Sequence, residues 1–208
     1  MKLGQVTRFL RHLALGTSLL MVLAGCGDQK DRSDQATKVQ SQDSQVDSTG
    51  HQDWETVVEV LLHPRCLNCH QLEMPLINEG SPHIPRVVRG PDNMGSGTMR
   101  CSNCHSNQNN PVTNAPGAPG WAMAPITLNW SHMSSAQICN LLTTPQDNGG
   151  RSPENLLQFM SQNPLSLWGW NPGGKRQPVN IPHEKLVEAM KGWIAAGTPC
   201  PTEHTPTD

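Results

Sequence analysis

The sequence predicts a mostly α, loop-rich fold in which short helices are joined by long irregular segments. Three observations carry that expectation. Four stretches place apolar residues at helical spacing, and no stretch alternates as a half-buried strand would. Gly and Pro contribute 18 residues each while Phe occurs twice and Tyr is absent, so turns abound and aromatic core is scarce. A six-residue string, Arg-Cys-x-Asn-Cys-His, occurs twice, at Arg65 to His70 and at Arg100 to His105. Lys and Arg number 15 against 17 Asp and Glu, a near balance that suggests no nucleic acid and no acidic substrate.

The chain divides into three expected parts, 1–25, 26–50 and 51–208. Lys2, Arg8 and Arg11 precede a short apolar run, Leu13 to Leu23, too short to span a bilayer and suited to the core of an export signal. The run closes on Leu23-Ala24-Gly25-Cys26, which resembles a bacterial lipobox. That resemblance implies cleavage before Cys26, lipidation of its thiol, and a mature chain anchored to a membrane without crossing it. An ordinary signal peptide cut nearby is the alternative. Between Asp28 and Gly50 only Ala36, Val39 and Val46 are apolar. Such a segment buries too little surface to offset its ordering entropy and reads as a disordered tether.

Beyond the tether, Asp53 is placed to cap a first helix bearing Trp54, Val57, Val58, Leu61 and Leu62, ending at His63-Pro64. A second is expected over Ser135 to Leu142, stopping before Pro145. Ser152-Pro153-Glu154 supplies a cap, a proline at the first helical position and a first-turn acid for a third, carrying Leu156, Leu157 and Met160. The last starts near Pro182, sets Leu186, Val187, Met190, Trp193 and Ile194 along one side, and stops at Gly197.

The first helix feeds the first string. Cys-x-x-Cys-His is the attachment signature of c-type haem, two thiols adding to the porphyrin and the histidine lying beneath the iron. Cys66, Cys69 and His70 would hold one such group, and Cys101, Cys104 and His105 a second. The competing chemistry is zinc, whose paired knuckles usually lie about 15–20 residues apart; here 31 residues separate Cys69 from Cys101, and both knuckles carry His. The strings start 35 residues apart, too close for a complete domain around each, so two covalently attached haem c groups are expected side by side in one domain. Large flat apolar cofactors would also supply surface that the aromatic-poor core lacks. Cys26 and the strings account for five of seven cysteines. An exported setting and an even remainder favour a Cys139–Cys200 disulfide, with two buried thiols as the alternative.

The strings and several further motifs together resemble a family of small exported dihaem c-type cytochromes of bacterial redox systems, some of them labelled isoquinoline 1-oxidoreductase subunit. The matching pieces are His63 to His70, Val88-Arg89-Gly90, Met99-Arg100-Cys101, Met123-Ala124-Pro125, Asn148-Gly149-Gly150-Arg151, Trp168-Gly169-Trp170-Asn171-Pro172-Gly173, and Gly197 with Cys200-Pro201. The match runs from about Trp54 to Pro201, and only its haem strings are specific to a chemistry. The family pattern sets a His after the residue matching Trp121 and a Met at the position of Leu128; Ala122 and Leu128 stand here, and neither ligates iron. A weaker similarity in layout is to the dihaem small subunit of periplasmic nitrate reductase, which has a ligand His between its strings where Ser81-Pro82-His83 stands here.

The distal iron ligands stay open. His83, in a Pro-rich loop between the strings, and His63, at a helix end, are candidates; Met99 is a further one, with Met123, Met133 and Met160 as other thioethers. Arg65 and Arg100 suit haem carboxylates, though solvated surface arginines are equally consistent with the sequence. The expectation is an electron carrier between periplasmic or membrane redox partners, a dehydrogenase or oxidoreductase donor and a respiratory acceptor, held on the periplasmic side by its lipid. The alternatives are a haem oxidoreductase or peroxidase-type enzyme, a redox subunit of an oxidoreductase complex, and a gas-sensing haem module. No nucleophile–base pair or phosphate-binding loop accompanies the strings.

Overall fold

The computed structural model describes residues 48–72, 76–77, 81–83 and 86–203. The expected export signal, Cys26 and most of the tether lie outside the described residues. Helices dominate: α1 (48–61), α2 (Pro64–Leu67), α3 (Ser135–Thr143), α4 (Pro145–Asn148), α5 (Pro153–Gln162), α6 (Pro164–Leu167) and α7 (His183–Ala195). Three 3₁₀ turns, Cys101–Asn103, Ile126–Leu128 and Trp168–Trp170, fall in the connections. None of the described helices is long and apolar enough to cross a membrane.

Two antiparallel pairs of two-residue strands were not expected: β1 (Leu76–Ile77) with β2 (Ser81–Pro82), and β3 (Gly95–Ser96) with β4 (Met99–Arg100). Ladders this short hold too few residues to show a period of two. In the second pair Gly95 faces Arg100, so the hairpin delivers the chain into the second string.

Capping follows local chemistry. The Ser134 hydroxyl accepts the Gln137 N–H while the Gln137 side chain accepts the Ser134 N–H, and Ser152 and Asn155 repeat this reciprocal cap at α5. After α7, Gly197 takes φ +84°, and the N–H groups of Gly197 and Thr198 close on Ile194 and Trp193 carbonyls. The start of α1 differs from expectation. Asp53 lies inside the helix, which already runs at residues 48–50. Packing overrides the local cap signal: a Cβ on Gly50 would lie 2.5 Å from that of Ala196 and 2.8 Å from the Pro199 ring, so the start of α1 meets the chain leaving α7.

α1 and α7 form the centre of the core. Trp54 and Trp193, both fully buried, meet with ring centres 5.0 Å apart, beside Val57, Leu61, Ile138, Leu186 and Met190. Each indole N–H has a partner: Trp54 donates to Ser135 Oγ at 2.8 Å, Trp193 to the Pro199 carbonyl at 3.1 Å, and Trp130 to the Leu61 carbonyl at 3.0 Å. The Cys139–Cys200 disulfide, with Cα atoms 5.6 Å apart, ties α3 to the segment after α7. Among the described residues, no hydrophobic side chain from 68 to 123 belongs to this core, although His70 stacks on its member Trp130. That excursion carries the second string and is held differently: the Arg89 guanidinium donates to the Gln71 and Ala124 carbonyls and, at 2.8 Å, to Asn93 Oδ1.

Candidate functional site

The two strings fold alike. His63 caps α2, its Nδ1 accepting the Arg65 N–H, and Pro64 takes the first helical position. The N–H groups of Cys69 and His70 then both turn back to the Cys66 carbonyl, at 3.1 Å each. In the second string the N–H groups of Cys104 and His105 close on the Cys101 carbonyl at 3.2 and 2.9 Å. A turn of this kind brings residues three and four apart to one side. The two thiols and the imidazole of each string accordingly line one cavity.

The first cavity, of about 280 Å³, holds Cys66, Cys69 and His70; the second, of about 390 Å³, holds Cys101, Cys104 and His105. Both sizes suit a small-molecule or cofactor site. Leu142, Leu156, Leu186 and Met190 line the first. α5 has no fully buried residue, and its apolar side (Leu156, Phe159, Met160) faces this cavity. An amphipathic helix so placed suits an apolar occupant. The two cavities share a wall made of Arg65, Cys69, Trp121, Ala122, Met123 and Trp168. Trp121 meets Trp168 edge to face, ring centres 4.9 Å apart.

Each histidine is oriented from behind. His70 Nδ1 donates to the Leu128 carbonyl at 2.7 Å, and His105 Nδ1 to the Pro116 carbonyl at 2.7 Å. A bond to Nδ1 fixes the tautomer and leaves the Nε2 lone pair available to a metal, the arrangement typical of ligating histidines. His70 stacks on Trp130 with ring centres 3.6 Å apart, and His105 stacks on Trp121 at 4.9 Å. Burial pushes the His70 imidazole down to about 4, an effect the Leu128 carbonyl opposes and Arg89 reinforces, so the ring is neutral at neutral pH. His105 is lowered too, chiefly by burial. Burial likewise raises the thiols, Cys66 to about 12 and Cys69 to about 11.

Of the expected distal candidates, His83 lines the second cavity, its ring centre 5.9 Å from that of His105 and tilted by 50°. Metal–imidazole bonds of about 2 Å on opposite sides of one ion would set ring centres roughly 6 Å apart. Met99 lines the same cavity and is partly exposed. His63 lines neither cavity. Among the described residues, no imidazole but His70 lines the first, where the available thioethers are Met123, Met160 and Met190; the Met160 sulfur accepts the Ser166 hydroxyl at 3.4 Å. Leu128, where the resembled family has Met, instead supplies the carbonyl that orients His70.

The two candidate carboxylate-binding arginines part company. Arg100 is engaged by Asp92 at 2.6 and 3.0 Å on the surface, whereas Arg65 is buried. The chain from 168 to 176 adds what sequence reasoning missed: Trp168 in the shared wall and Arg176 in the second cavity. The Trp-Gly-Trp motif hinted at the first; nothing in the residues around Lys175 hinted at the second. Among the described residues, no three or more His, Cys, Asp and Glu side chains group as a metal cage. Comparison with protein-family models, curated proteins and solved structures gives no match.

Proposed function

We propose that the chain is a dihaem c-type cytochrome that carries electrons, exported and held at a bacterial membrane through a lipid on Cys26. One observation supports this most: each Cys-x-x-Cys-His string directs two thiols and a back-bonded, neutral-favouring imidazole into its own cavity. The residues fit the cofactor in other ways as well. The wall of the first cavity is largely apolar and aromatic, and the buried Arg65 suits its carboxylates. Zinc fits less well, since a structural site needs four converging ligands.

When bound, haem supplies a one-electron iron couple. The protein's part is placement. Cys66, Cys69, Cys101 and Cys104 would fix the two groups covalently; His70 and His105 would ligate from the sides braced by Leu128 and Pro116, and His83 would face His105. Apolar packing around the first cavity keeps water from it. The shared wall keeps both groups close enough to exchange electrons, and redox proteins would be the partners on either side.

The test is covalent cofactor content. Protein made in a host that exports and attaches haem should gain the mass of two haems and keep both through acid–acetone extraction. Cys69→Ala and Cys104→Ala should each leave one attachment defective. Stoichiometric zinc in place of haem overturns the reading.

A further inference from the structure

Arg65 is 9 % exposed, and its Nε has no hydrogen-bond partner in the structure. No ion pair or side-chain hydrogen bond of Arg65 is found among the described residues. Its backbone N–H is already used by His63. Arg65 lies in the wall common to both cavities, and among the described residues neither cavity has an Asp or Glu in its lining. Arg100 and Arg176 also line the His105 cavity; the Arg176 guanidinium donates only to neutral acceptors, among them the Pro172 and Gly173 carbonyls at 3.2 and 3.3 Å. The two guanidinium charges sense each other, since Arg65 lowers Arg176 after burial has done so. Of the other lining arginines, Arg100 is paired with Asp92, while Arg151, in the His70 cavity, donates to the neutral Asn148 carbonyl at 2.6 Å.

A buried guanidinium without a counter-charge is strongly disfavoured, because its desolvation is repaid only by a paired and hydrogen-bonded anion. The described residues supply none in either lining, so the anion is assigned to what fills the cavities. We propose that Arg65 is a carboxylate clamp shared by the two cavities, pairing with one propionate of each haem, and that Arg176 serves the His105 cavity alone. This rests on the dihaem reading. The planar fork with five donors suits such double use, which an ammonium cannot reproduce. A shared cation also couples the two irons: it favours the reduced form at both, since reduction adds negative charge beside it.

The experiment is a redox titration of the holoprotein, with haem content checked by mass in every variant. His83→Ala, read by spin state, assigns the His105 haem. Arg65→Gln should lower both midpoint potentials, each by at least about a tenfold change in the reduction equilibrium, 59 mV for one electron. Arg176→Gln should lower only that of the His105 haem. Arg65→Lys keeps the charge and loses the fork, so it should shift both potentials less than Gln while still altering the resonance Raman bands of both sets of propionates. If Arg65→Gln proves too unstable to titrate, the Lys variant alone decides through those bands. Unmoved potentials, a shift at one haem only, or Raman bands like the parent's in the Lys variant would overturn the clamp. A parent protein without two haems would instead remove the dihaem reading, a separate result.

Discussion

His83 and Asn148 represent two ways in which a polar residue is used here. His83 faces His105 across the second cavity. His83→Ala should convert one low-spin haem to high-spin while leaving the other unchanged, seen in absorption and electron-spin spectra; identical spectra would remove His83 as a ligand. Asn148 is fully buried and far more local in action. Its Nδ2 donates to the Leu142 carbonyl at 2.7 Å and the Arg151 carbonyl at 2.9 Å, and its Oδ1 accepts the Arg151 N–H at 2.8 Å. Asn148→Leu leaves those backbone groups without partners, at about 3 kcal/mol for several buried polar atoms; denaturant unfolding of the holoprotein measures it. Residue identity marked the two strings as a candidate site, and the structure brings the thiols and imidazole of each to one cavity. Arg65 was only half legible. Its charge suggested carboxylates, but its burial depends on chain 104 residues away, where a Cβ on Gly169 would lie 4.0 Å from that of Arg65.

At the scale of elements, the helices with sequence-local start signals were the readable ones. Ser134 and Ser152 announce α3 and α5, and Gly197 ends α7, since capping is decided within a few residues. α1 starts earlier than Asp53 suggests because Gly50 is held against Ala196 and Pro199, a contact that no local pattern encodes. The disulfide joins two elements that are distant along the chain. Its 61-residue separation gives about 4 kcal/mol in the chain-entropy account. The double variant Cys139→Ser/Cys200→Ser should therefore lose on the order of 4 kcal/mol in denaturant unfolding, with the haem spectra kept in the folded protein. A loss under about 1 kcal/mol would mean that the packing of Trp193 and Ile138 suffices without the bond.

Among the described residues, the hydrophobic core adjoins one of the two string cavities: the His70 cavity is embedded in it and the His105 cavity is not. Val57, Leu61, Leu186, Met190 and Trp193 belong to both the core and the His70 cavity, whereas the described residues of the 68–123 excursion place no hydrophobic side chain in the core and meet it through His70 on Trp130. Replacing Cys101 and Cys104 by Ala should thus preserve the helical circular dichroism and most of the thermal stability, with one haem lost. Replacing Cys66 and Cys69 should lower the melting temperature markedly. Equal losses from both pairs would show that the excursion supports the fold after all. The spacing of the strings placed both in one expected domain, but not which string's cavity adjoins the core; that depends on α5 and α7, whose apolar sides look alike in sequence.

The pairing of Trp54 with Trp193 also sets an order in time. The first helix meets its partner 139 residues later, so a chain made from its amino end has both thiol pairs in the open before the last helix exists to close the core. Long-range closure of this kind is slow. The interval it leaves is the window in which thiols that burial later holds protonated, Cys66 and Cys69 above all, can still be reached and reacted.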